Sequence, residues 1–157
     1  MDQSIFAYAL LGGLAIGLLY CVYSDIRYRL IYNKVCASIA LAAPLYWLAI
    51  GNFSWPAIGI YLATGAITFL FFAIFFRFGM MGGGDVKLFA AVALWLEPSA
   101  AFRFIFNATL FGAAVTIVFF TVHKLRRNDG KLRVPYGVAI AVIGLLSVGE
   151  EFFNQFG

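Results

Sequence analysis

Six apolar runs decide which solvent this chain folds in. They extend approximately from Ile5 to Tyr23, Val35 to Ile50, Ala57 to Phe76, Val86 to Leu96, Ala100 to Val122 and Val134 to Val148. Runs of about 17 to 25 apolar residues cross a hydrocarbon layer of about 30 Å as helices, and an open chain in lipid satisfies its own backbone only as a helix. Of the residues, 64% are apolar and only 11% charged, where a soluble domain carries roughly 25% charged. The expectation is an all-α membrane protein, a bundle of about six transmembrane helices forming a single domain over residues 1–157. The fourth run is too short to cross at 1.5 Å per residue. It either extends backward through the glycines before it or opens into a water-accessible dip, which puts Asp85 near a boundary and not at the midplane.

The charges sit between the runs and give the chain an orientation. Arg27, Arg29 and Lys34 follow the first run, Arg77 and Lys87 flank the loop after the third, and Lys124, Arg126, Arg127, Lys131 and Arg133 follow the fifth. Of eleven basic residues only Arg103 lies elsewhere, while Asp2, Glu97, Glu150 and Glu151 fall on the opposite side. Cytoplasmic loops carry the excess of Lys and Arg, so the loops after the first, third and fifth runs are expected to face the cytoplasm and both termini to lie outside it. Trp47, Trp55 and Trp95 fall near the outer interface, where indoles gather. Asp2 and the lack of a basic residue before the first run mark a retained helix, not a cleaved signal peptide.

Several functions are excluded by what these charges are not. No basic stripe with spaced aromatics is present, so nucleic acid is not an expected partner. Cys21 and Cys36 form no CxxC pair, which leaves them as packed thiols with neither a disulfide framework nor a zinc site. Asn107, Thr64 and Thr68 can hydrogen-bond between helices, the run Phe69, Phe71, Phe72, Phe75 and Phe76 reads as lipid-facing bulk, and His123 reads as interfacial.

Two acids remain to be explained on the inner side of the membrane core: Asp25 in SDIRYRLIYNKV and Asp85 in GMMGGGDVKLF. The basic residues place both at the same interface without reference to the acids themselves. Two close carboxylates do not both ionise easily, so one keeps its proton while the other acts as a base. Such a pair can activate a water and polarise an amide carbonyl together. Gly82, Gly83 and Gly84 would let an extended substrate backbone come close. The plainer alternative pairs Asp25 with Arg29 one turn on and makes Asp85 a helix cap with Lys87 as a solvated charge.

GGGDVKLFAAVALWL, together with SDIRYRLIYNKV, resembles the type IV prepilin peptidases, membrane aspartyl proteases of the GxGD class. In that family the first acid begins D-x-R-x-R-x-I-P-N and the second lies in G-x-G-D-x-K-L. Asp25, Arg27, Arg29, Ile31 and Asn33 match the first stretch, and Gly82, Gly84, Asp85, Lys87 and Leu88 the second. The resemblance implies a catalytic pair, Asp25 and Asp85, and an active-site loop that includes Gly82, Gly83, Gly84, Lys87, Arg29 and Asn33. VPYGVAIAVIG is similar to the family's Pro-Tyr-Gly segment, which adds Pro135 and Gly137 to the expected substrate path. Tyr32 stands where the family has proline.

The resemblance also implies a substrate: a membrane-anchored prepilin or prepilin-like protein, cut after a glycine that separates a basic leader from an apolar helix. It implies no metal and no organic cofactor. Larger members resemble this core fused to a segment with two CxxC pairs that methylates the new N-terminus; the chain is more similar to the compact tight-adherence (Flp-type) peptidases. The competing readings are a small ion-coupled transporter or channel, which would place ionisable groups at mid-bilayer, and a catalytically silent pilus-assembly subunit. The oligomeric state is not legible.

Overall fold

The computed structural model describes residues 3–125 and 136–156. Among them are six helices and no strand: α1 (Gln3–Tyr28), α2 (Asn33–Ala49), α3 (Trp55–Arg77), α4 (Gly83–Ala93), α5 (Pro98–Leu125) and α6 (Tyr136–Phe156). Three of them, over Ile5–Tyr28, Trp55–Arg77 and Pro98–Val122, are long and apolar enough to cross a membrane, and most of each faces outward. The six-helix expectation therefore stands. Pro135 and the basic residues 126–133 lie outside the described residues, as does the side chain of His123.

α4 sits at the centre. It packs against α2, α3, α5 and α6, while α1 packs against α2 and α6. Its Val86, Leu88, Phe89, Ala91, Val92 and Ala93 are all buried, an apolar surface around most of the helix that suits an inner position. Phe89 stacks on Phe72 of α3 with ring centroids 4.1 Å apart and leans on Phe104 of α5 at 5.6 Å. This corrects one expectation. Phe69, Phe71 and Phe76 do face outward, but Phe72 is buried against Phe89 and belongs to the core.

α4 does begin within the glycines, yet its 11 residues still reach only about 16 Å, so it ends inside the bundle. A buried helix end strands carbonyl groups that need donors. Trp47 supplies one, its indole N–H donating to Leu94 O at 2.8 Å, and Trp95 donates to Ile39 O at 3.0 Å. Trp47 also stacks on Tyr61, and Trp95 on Tyr46, each at 5.1 Å. Of the three tryptophans expected at the interface only Trp55 is exposed; the other two are interior braces. Thr64 and Thr68 also depart from expectation, turning their hydroxyls back to Ile60 O and Thr64 O of their own helix.

Candidate active site

The site forms where α1 ends and where α4 and α6 begin. α1 stops at Tyr28 because Arg29 takes the left-handed conformation, φ 54°, which ends a helix and is costly for a residue with a Cβ. Ser24 braces the reversal: its buried hydroxyl donates to Leu30 O at 2.9 Å. Tyr32 then leads into α2 with ψ 129° and with φ −74°, close to the φ a proline would fix. The departure from the family pattern at Tyr32 leaves the backbone of this turn in a proline-like shape.

Asp25 lies one turn before that reversal and is 6% exposed. Its Oδ2 accepts the Val138 N–H at 3.1 Å, and the Gly137 N–H also faces it. These are two of the unpaired donors at the start of α6, a natural seat for a carboxylate. Gly137 is what permits the seat. A Cβ there would lie 2.5 Å from Ile31 Cδ1 and 3.0 Å from Asp25 Oδ2.

Asp85 occupies the first turn of α4, with Gly82 at the N-cap. The Gly82 N–H is directed at its carboxyl, the backward-reaching half of a capping box, so the helix-cap reading holds in part. Burial first, and then the nearby charge of Asp25, push this carboxyl up to about 7 against the opposing Gly82 N–H. A cap in water would not be shifted so far.

Both acids line one cavity of about 460 Å³, together with Arg29, Ile31 and the glycines Gly82, Gly83 and Gly84. The glycines serve packing first. A Cβ on Gly84 would lie 2.9 Å from Ile31 Cβ and 3.2 Å from Ile31 O, so its bare backbone lets α4 meet the turn after α1. Arg29 lines the cavity and extends its guanidinium over Phe119, 5.7 Å from the ring centroid. Lys87 and Asn33 stand beside the cavity and not in its wall. They bind each other, Nζ donating to Oδ1 at 2.9 Å, and tie the start of α4 to the start of α2.

The model of the type IV leader peptidase family matches residues 13–117, more than half of the chain and both acids. The chain belongs to that family. No curated protein and no solved structure matches it. Its membership carries a leader peptidase role and a membrane setting. Both motifs of this leader peptidase fall within the match, whereas the start of α6, which holds Asp25, falls beyond it.

Ser24 shapes this peptidase's site without matching either motif. Ile31 matches the first motif, but its role as a wedge between Gly84 of α4 and Gly137 of α6 comes from tertiary packing. A hydroxyl directly before Asp25 in an otherwise apolar helix end was the one available signal. Cys21 and Cys36 are buried free thiols, as expected. Among the described residues no group of three or more potential ligands could hold a metal ion.

Proposed function

We propose that this protein is an aspartic-type endopeptidase that removes the basic leader from a type IV prepilin or prepilin-like protein, cutting after a glycine at the cytoplasmic face of the inner membrane. One observation carries the reading: two acids from distant parts of the chain, each at a helix terminus, line the same cavity at one end of the bundle. Asp25 and Asp85 share one proton. Asp85, with its carboxyl raised to about 7, holds that proton near neutral pH and polarises the scissile carbonyl. Asp25, seated on the N–H groups of α6, is the carboxylate that takes a proton from the attacking water. The proton moves from water to Asp25 as the C–O bond forms, and the leaving nitrogen is protonated from the pair as the C–N bond breaks.

The test is co-expression of the enzyme in membranes with a substrate made of a basic leader, a glycine and an apolar helix. The new N-terminus is sequenced for wild type, Asp25→Asn and Asp85→Asn. Cutting by wild type alone, at equal protein levels, supports the pair. A single variant that still cuts at the wild-type rate removes its acid from the mechanism.

A further inference from the structure

α2 and α3 are consecutive, yet they scarcely pack on one another; α4 lies against both. The space left between them is a groove of about 570 Å³ floored by Ala90 and Leu94 and walled by Ala37, Ala40 and Ala66. Ala37 and Ala66 are exposed. Small side chains on facing helices are what lets a further helix approach closely in lipid. Asn33 and Lys87 are the polar groups at one end of it, a turn away from Ile31 and Gly84 on the wall of the catalytic cavity. From there the groove follows α3 back from Phe69 to Leu62, about 10 Å or two helical turns.

Resting on the protease reading above, we infer that this groove seats the first two turns of the substrate's own apolar helix, downstream of the cut. The position of the acids supports this occupant over an unrelated one. Asp85 and Lys87, two residues apart on α4, point to nearly opposite sides of the helix, the acid toward Asp25 and the lysine toward the groove. A substrate helix in the groove must therefore send its upstream chain across the start of α4 to reach the acids. That crossing is made of Gly82, Gly83 and Gly84, all of which line the catalytic cavity. A helix is roughly 10 Å across, and about three extended residues span that distance. The helical part of the substrate thus begins about three residues after the scissile bond.

The test uses the full chain in membranes with the same substrate. Ala66→Phe fills the groove from an exposed position and is expected to lower kcat/KM by about tenfold or more, mainly through KM; Ile117→Phe, on the exposed face of α5, leaves it unchanged. In an Asp85→Asn background that retains substrate, a benzophenone amino acid at Phe69 is expected to crosslink to the substrate helix three to ten residues after the glycine, roughly the reach of the groove. If wild type cuts and Ala66→Phe cuts equally well, the groove assignment falls while the protease reading survives. Adducts only with lipid, or only with a second copy of the chain, overturn it as well. If wild type cuts nothing, the protease reading fails and the assignment falls with it.

Discussion

Gly137→Ala tests the seat of Asp25 most directly. The added methyl would lie 2.5 Å from Ile31 Cδ1 and 3.0 and 3.1 Å from Oδ2 and Cγ of Asp25. The Ile31 contact involves the far end of a flexible side chain, which can turn away. The carboxyl cannot, because it is held between α1 and the Val138 N–H. Hydrogen bonds to a charged group contribute about 1.5 to 3 kcal/mol each, and about 1.4 kcal/mol is tenfold in rate. Losing the Val138 bond alone predicts a fall in kcat/KM of roughly ten- to a hundredfold. The assay is cleavage of the leader substrate in membranes at matched enzyme levels. Gly149→Ala, where nothing stands within 4 Å of an added Cβ, serves as the neutral control. The double variant Gly137→Ala with Ile31→Val removes the Ile31 Cδ1 contact and leaves only the clash with the acid, so its packing recovers but its rate does not. A Gly137→Ala enzyme that cuts within twofold of wild type, or a double variant that regains full rate, would refute the reasoning.

Three further outcomes follow from the same structure. Asp85 is protonated below its raised value of about 7 and ionised above it, so kcat/KM should fall by about tenfold per pH unit on the alkaline side; a rate that stays level to pH 9 would remove Asp85 as the acid. Tyr32→Pro, at φ −74°, should keep activity and raise stability by about 0.4 to 1 kcal/mol, read as a small upward shift of Tm in detergent; loss of folded protein would show that the turn needs the Tyr32 N–H or ring. Trp47→Phe leaves Leu94 O without its indole donor and should cost about 1 to 3 kcal/mol, seen as a lower Tm, with cleavage falling only in proportion to folded enzyme.

What the sequence made legible was whatever depends on composition and local order. Apolar run length located the six helices, and the placement of arginines and lysines put Asp25 and Asp85 at one end before any contact was known. The motif spacing picked out residues that turn out to line one cavity. What it did not reveal depends on which side of a helix a residue faces once a neighbour is present. Phe72 and Phe71 are alike in a list, but only Phe72 meets Phe89. Trp47 and Trp95 look like interfacial anchors, but the Trp47 N–H serves Leu94 O where α4 ends early and the Trp95 N–H donates to Ile39 O of α2. The motif puts Lys87 in the active-site loop, whereas helix geometry turns it toward Asn33 beside the cavity. The glycines were read as room for a substrate, and the nearest atoms show that Gly84 first makes room for Ile31.

The shortness of α4 bears on how the protein is made. A segment of 11 residues reaches about half the thickness of the hydrocarbon layer, so it has no stable spanning position of its own when it leaves the ribosome. α1, α3 and α5 can each settle in lipid independently, and α4 can be accommodated only once its neighbours α2, α3, α5 and α6 gather around it. Asp85 travels with α4, so it meets Asp25 at this last stage of assembly. The two acids of the cavity therefore come together only when the centre of the bundle closes.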